Sequence, residues 1–183
     1  MRQIKEPILT NSANPFWAFS LKFYCRKGVA SSCLELQESF GADVNILLYC
    51  CWIAFEGAEE IEPAELAVII ATIEPWQSVV VQRLREIRVH MKQDEMVNLG
   101  ALSEELRQVI KTCELDAEKI EQTILYQSGR NIKFDASMSR AIRIYTAKQN
   151  LHTYLQLILR DVPEDSYNLI QDISQEVGAL LAL

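Results

Sequence analysis

Apolar residues recur at helical spacing along most of the chain, and the two-residue alternation of a β-strand is almost absent. One predicted helical face consists of five apolar residues at intervals of three and four: Trp76, Val80, Leu84, Ile87 and Met91. A second face with the same spacing lies near the C-terminus: Ile170, Ile173, Val177 and Leu181. The pattern therefore predicts an all-α fold.

The stretch 44–55 is the most apolar in the sequence, with Asn45 as its single polar residue. Asp43 before it is a favourable N-cap and Gly57 after it is a favourable helix end, so we expect a helix over 43–56. A membrane-spanning helix needs about 20 apolar residues, and this run is too short. A short helix that is apolar on every side is typical of a core. We therefore predict a central, fully apolar helix that the other helices surround.

Helix-start signals divide the chain into a bundle of about eight helices. Proline at the first helical position marks several starts, among them Pro63 and Pro163. The Glu74-Pro75 pair predicts that one helix ends there and another begins. No stretch has the composition of a domain linker, so we expect residues 1–183 to form a single domain, of which residues 1–13 are flexible.

One long helix is predicted to begin at Asp135 and to run to about Leu159. Its apolar side, which we expect to face the core, contains six residues: Met138, Ile142, Tyr145, His152, Leu155 and Leu159.

Charge and the N-terminal sequence narrow the classes of partner. The 183 residues have a net charge of −7, which is poorly suited to a nucleic-acid backbone. Basic residues gather on two helical flanks that we expect to be solvated: Arg85, Arg88, Lys92, Arg140 and Arg143. The first residues lack the apolar run of a signal peptide, so we expect a cytoplasmic protein that does not enter membranes.

No catalytic or metal-binding signature is present in the sequence. The two histidines cannot form a multi-histidine metal site, and the five cysteines lack the paired spacing of zinc or redox sites. Cys50 and Cys51 are adjacent, so on a helix they point about 100° apart and cannot jointly hold a metal. We predict no metal, no cofactor and reduced cysteines that fill the core, and the sequence leaves open whether the protein is an enzyme.

Aromatic residues are concentrated in the first predicted helix, where polar residues also lie within apolar helices. A buried amide without a partner costs about 1–3 kcal/mol, so these polar groups need partners or a ligand. One interpretation is that they cap helices and join them. The other is a small pocket between the first three helices, with seven candidate ligand-binding residues: Asn14, Trp17, Tyr24, Gln37, Asp43, Asn45 and Trp52.

The same block, residues 14–56, resembles the signature of an uncharacterised proteobacterial family, a domain of unknown function. The resemblance lies in five short motifs: the Asn-Pro-Phe-Trp start at 14–17, Gly28-Val29, Leu36-Gln37, the Asp-Val-Asn-x-Leu-Leu run at 43–48, and Trp52. It extends more loosely to about residue 125. The resemblance implies a bacterial, cytoplasmic context and implies no activity.

Two functions remain after these exclusions. The absence of catalytic signatures and the apolar C-terminus favour a non-enzymatic adaptor or regulatory protein that contacts a protein partner, and a second copy of the chain is one such partner. The alternative is a small-molecule-binding protein or enzyme that uses the predicted pocket, with Asp43 as the acid or base. Binding of nucleic acid is disfavoured.

Overall fold

The structure is a computed structural model that describes residues 14–93, 99–129 and 131–182. Over those ranges the chain is helical and has no strand, as the sequence predicts. The helices are α1 (Pro15–Tyr24), α2 (Val29–Phe40), α3 (Val44–Glu56), α4 (Pro63–Gln93), α5 (Ala101–Ser128), α6 (Arg140–Ile158) and α7 (Glu164–Leu180). The segment 1–13, which the sequence predicts to be flexible, lies outside the described residues.

Helix α3 occupies the centre, and each of the ten residues 45–54 is buried. Its start is capped as predicted, because the Asp43 side chain accepts a hydrogen bond from the Asn45 backbone N–H at 2.7 Å. It ends at Gly57, whose φ of 90° is a conformation that glycine adopts without strain. A side chain at Gly57 would also collide with the backbone oxygen of Asp135, 2.3 Å from an ideal Cβ position. Both the backbone conformation and the lack of space therefore require glycine at the C-terminal end of α3.

Five helices pack around α3: α1, α2, α5, α6 and α7. The most extensive contact is with α6, whose buried face contains several polar side chains. Asn150 on this face accepts from the Ile61 backbone N–H at 2.9 Å and donates to the Cys50 carbonyl at 3.3 Å. Tyr154 accepts from the Asp43 backbone N–H at 2.7 Å. These bonds fix both the start and the middle of α3 to α6.

Arg143 connects the C-terminal end of α3 to the loop before α6. Its guanidinium is buried and donates to four backbone carbonyls, those of Phe55, Asp135, Ala136 and Met138. A cation at the C-terminal end of a helix also interacts favourably with the helix dipole. The expectation that Arg143 is solvated is therefore wrong.

The predicted start and orientation of α6 also differ from the structure. The helix begins at Arg140 after the cap Ser139, while Asp135 instead bonds Ser137 in the preceding loop. Ile142 and Tyr145, which were expected in the core, are 51% and 54% exposed. The apolar spacing is misleading here because the buried face uses polar residues that bind backbone groups.

Helix α4 joins two helices that the sequence separates at Glu74-Pro75, so the described residues form seven helices, not eight. Proline removes one backbone donor and crowds the preceding turn, which usually bends or ends a helix. In this chain a π-helical stretch, Gln77–Val81, begins two residues after Pro75 and continues the helix. Trp76 fixes the segment by donating from Nε1 to the Ala117 carbonyl of α5 at 3.0 Å.

Among the described residues, α4 is also the one helix that is long and apolar enough to cross a membrane, judged by length and composition alone. A core helix of a soluble protein can pass the same test. The side of α4 that packs against α5 includes Arg85 and Arg88, which form ion pairs with Glu114.

Candidate functional site

An open cleft of about 650 Å³ lies between α1, α2, the start of α3, the second half of α4, and α5. Most of its wall is apolar and consists of seven side chains: Trp17, Leu21, Leu34, Val44, Leu48, Val89 and Leu115. The polar side chains that line it are mainly amides, carboxylates and guanidiniums from α2, α4 and α5. The cleft therefore combines an apolar surface with groups that can orient a bound molecule.

One side of the cleft is built by an ion network centred on Glu114 of α5. Arg85 donates to Glu114 at 3.0 Å, to Glu118 at 2.8 Å and to the side-chain oxygen of Gln37. Arg88 forms two hydrogen bonds to the same Glu114 carboxylate. Burial raises the pKa of Glu114, but the bonds from Arg88 and Arg85 outweigh it and leave that pKa below its ordinary value. The network joins α2, α4 and α5 and keeps Glu114 ionised.

This arrangement corrects the expectation that Arg85 and Arg88 belong to a solvated flank. Their side chains are only 27% and 25% exposed, and both point toward Glu114, which is buried. Charge-assisted hydrogen bonds of this kind are stronger than neutral ones because both partners are ionised.

Two amides form the floor of the cleft. Gln122 donates from Nε2 to the side-chain oxygen of Asn45 at 2.8 Å. The Gln122 Oε1 atom is buried and accepts no hydrogen bond from any described residue. Asn14 also holds this residue, since its side chain donates to the Gln122 backbone carbonyl at 3.4 Å. The floor is thus held in place and contains an unused acceptor.

Two carboxyl groups lie behind this floor, on Asp43 and Glu121. Glu121 is fully buried, and the carboxyl group of Asp43 lies beside it. Burial first, and then the adjacent Asp43 carboxylate, raise the pKa of Glu121 to about 9. Burial likewise raises the pKa of Asp43. Because two like charges this close cannot both remain ionised, the pair holds a shared proton at neutral pH.

The structure brings four of the seven predicted site residues together in the cleft and places the other three elsewhere. Those that line it are Trp17, Tyr24, Gln37 and Asn45. The remaining three residues, Asn14, Asp43 and Trp52, do not line it.

Asn14 and Asp43 serve as helix caps. Asn14 accepts from the backbone N–H groups of Phe16 and Trp17, and Asp43 caps α3. Trp52 belongs to an aromatic core cluster, with ring centres 5.3 Å from Phe16 and 5.6 Å from Tyr126. The cleft therefore includes Trp17 of the predicted pocket but does not extend to Trp52.

Several residues of the cleft were missed by the sequence analysis, and most belong to α5. Glu114, Glu118 and Gln122 follow each other at intervals of four, so they share one helical face. Arg85 and Arg88 are three apart on α4 and share a face as well. Matching a face of carboxylates with a face of guanidiniums was the available signal. It is weak because most such faces are solvated.

The thiols fall into two groups. Cys33, Cys50 and Cys51 are buried, and burial raises the pKa of Cys33 to about 12 and raises those of the other two. Thiols of this kind are protonated and unreactive. Cys25 is exposed at the edge of the cleft, and Cys113 is exposed on α5. Among the described residues, no group of three or more histidine, cysteine or acidic side chains is arranged to hold a metal.

Residues 15–125 match a protein family described as a protein of unknown function, DUF2390. The match covers more than half of the 183 residues, so the chain belongs to this family. No curated protein and no solved structure matches the chain. Every residue that lines the cleft lies within the matched region, whereas α6 and α7 lie beyond it.

The raised pKa of Glu121 predicts a dependence of stability on pH. The folded protein keeps the Glu121 proton up to about pH 9, whereas an unfolded chain releases it near pH 4.5. The contribution of this group is therefore complete below about pH 4.5 and is lost as the pH rises toward 9, by up to about 1.4 kcal/mol per pH unit. Glu121→Gln, which mimics the protonated form, should flatten this slope and exceed the wild type in unfolding free energy at alkaline pH.

Urea unfolding at several pH values between about 5 and 9 measures this slope. Glu105→Gln is the control, because Glu105 is an exposed glutamate on the same helix. A slope that Glu121→Gln leaves unchanged contradicts the shared proton.

Proposed function

We propose that the protein binds a small amphipathic molecule in the cleft between α1, α2, α4 and α5. The supporting observation is the cleft itself, whose volume of about 650 Å³ falls within the range of ligand pockets, about 300–1,000 Å³. Its apolar wall offers burial to the body of such a molecule. Its amides and guanidiniums offer orientation.

The fixed geometry of the polar groups supports binding at low entropic cost. Arg85 contacts three different acceptors, and Asn45 is bonded to Gln122, so neither side chain needs to be ordered by a ligand. Immobilising a flexible side chain during binding costs about 0.5–1.5 kcal/mol, and a pre-organised site avoids that cost. The contacts that order these groups are already present within the protein.

The position of Asp43 favours binding over catalysis. This residue is the acid or base that the sequence offers, and it lies behind the floor, where it caps α3. A general acid or base must come within hydrogen-bonding reach of the substrate.

The coincidence of the cleft with the matched region 15–125 further supports a role for the cleft that members of the family share.

A cleft-filling variant tests the proposal. Leu115 lines the cleft and is 48% exposed, so Leu115→Trp adds bulk at the mouth without disturbing the core. Native mass spectrometry of the purified protein, followed by thermal-shift screening of a metabolite library, should reveal a ligand for the wild type. The variant should lose at least tenfold in affinity for it, equivalent to about 1.4 kcal/mol.

Leu157→Trp is the matched control, because Leu157 is 40% exposed and does not line the cleft. It should bind the ligand as the wild type does. Equal binding by Leu115→Trp would place the ligand elsewhere, and a wild type that binds nothing would refute the proposal.

A second candidate is the adaptor role that the sequence favours, in which the protein associates with another protein, including a second copy. Its specific support is an apolar stripe on the first half of α5, where Leu102, Leu106 and Val109 are 77%, 54% and 59% exposed. Exposed apolar patches of this kind are typical of contact surfaces.

Sedimentation velocity separates this candidate from a monomeric binding protein. Self-association through the stripe predicts a dimer that dissociates when Leu102 and Leu106 are both replaced by glutamate, while Leu157→Glu has no effect. A wild type that stays monomeric at every concentration would argue against self-association.

Cellular context belongs to the proposal as well. The resemblance of the motifs within 14–56 supports a bacterial, cytoplasmic protein, and the net charge of −7 is unfavourable for binding nucleic acid. No cofactor or metal is part of the proposed binding function.

A further inference from the structure

We propose that the ligand of the cleft is a free organic anion with its acidic group at the mouth, beside Arg88 and Lys111, and a hydrogen-bond donor at the floor, beside Gln122. This inference rests on the proposed binding function. It follows from which polar groups of the cleft are already used within the protein and which are not.

The two arginines of the network differ in how many of their N–H donors are left for a ligand. All three nitrogens of Arg85 donate to acceptors of the protein. Arg88 uses Nε and Nη2 for Glu114, and its Nη1 group has no acceptor among the described residues. A guanidinium presents five N–H donors in a fixed plane, so Arg88 retains donors for a second acidic group. Arg88 is the arginine that can contact a ligand.

Lys111 supplies a second positive group at the same mouth. It lines the cleft, is exposed, and has no acidic partner within the described part of the chain. It stands one turn before Glu114 on α5, which Arg88 contacts. The two cations therefore converge on one region of the cleft from α4 and α5.

The carboxylates around the cleft determine how strongly an anion is attracted. Glu114 is neutralised by Arg85 and Arg88, and Glu118 by Arg85. Glu38 also lines the cleft and has no cationic partner among the residues described, but it is exposed on α2, where solvent weakens its repulsion. Glu38 should therefore weaken anion binding slightly, and Lys111 should strengthen it.

The floor of the cleft favours a hydrogen-bond donor on the ligand, whereas the mouth favours an acidic group. Gln122 has already used its Nε2 group on Asn45, and its Oε1 atom is buried without a donor. A buried acceptor left unpaired is costly, so an N–H or O–H group of the ligand gains by approaching it. Between mouth and floor, Trp17, Val44 and Leu48 offer an apolar surface. The complementary molecule has an acid at one end, an apolar or aromatic body, and a donor toward the other end.

A matched pair of fluorescent probes tests this assignment. The 2,6 isomer of anilinonaphthalene sulfonate has an aromatic body with the N–H donor and the acidic group at opposite ends, whereas N-phenyl-2-naphthylamine is the same molecule without the acid. Fluorescence titration should show that the wild type binds the sulfonate more tightly than the neutral probe. Lys111→Gln should weaken sulfonate binding about two- to fivefold, as expected for one exposed charge, and Glu38→Gln should strengthen it by a similar factor.

The controls distinguish a failed assignment from a failed binding site. Lys133→Gln changes an exposed lysine that does not line the cleft and should leave both affinities unchanged. The neutral probe should be indifferent to the Lys111 and Glu38 substitutions and sensitive to Leu115→Trp.

Equal binding of the two probes, with no response to Lys111→Gln or Glu38→Gln, overturns the anion assignment. In that case sensitivity to Leu115→Trp still supports cleft binding. If neither probe binds the wild type, or both bind Leu115→Trp unchanged, the proposed function fails together with this inference.

Discussion

The rest of the structure depends on one constraint, which is that α3 has no side that can face water. Ten consecutive residues, 45–54, are buried, so neighbours must cover the whole circumference of the helix. Each large apolar side chain among them contributes about 1.5–3 kcal/mol on burial, whereas one unpaired buried acceptor costs about 1–3 kcal/mol. The gain from enclosing α3 therefore outweighs the cost of an unsatisfied polar atom nearby, such as Gln122 Oε1.

The same constraint explains where the polar groups of the interior lie. A buried helix still has backbone groups to satisfy at its ends, and the surrounding helices provide the partners. Arg143 of α6 donates to the Phe55 carbonyl at the C-terminal end, and Tyr154 accepts from Asp43 at the N-terminal end. Along its whole length α3 meets α5 less completely than it meets α6, and the cleft lies at the N-terminal end of α3, where Val44, Asn45 and Leu48 line it. The proposed binding site thus borders the N-terminal end of α3 without exposing the helix.

Local signals in the sequence were sufficient to predict most of the helices, but they were insufficient to predict which face of a helix is buried. Helix α3 begins after Asp43 and ends before Gly57 as expected, because capping interactions act within a few residues. The continuity of α4 through Pro75 was not predictable in this way, because a π-helical stretch and the bond from Trp76 to α5 compensate for the proline.

For the site, apolar and amide residues near α1 and α3 indicated a pocket. The side formed by α4 and α5 depends on pairs such as Arg85 and Glu114, which are 29 residues apart, and no local pattern reveals such a pair.

Cysteine labelling tests the enclosure of α3 most directly, because Cys50 and Cys51 lie in the middle of the helix and point in different directions. The folded protein would be treated with iodoacetamide and the modified residues identified by mass spectrometry. The account predicts rapid alkylation of Cys25 and Cys113, with Cys50 and Cys51 unmodified until urea unfolds the chain. Alkylation of Cys50 or Cys51 in the folded protein at the rate of Cys113 would show that α3 is open to solvent, and would contradict the account.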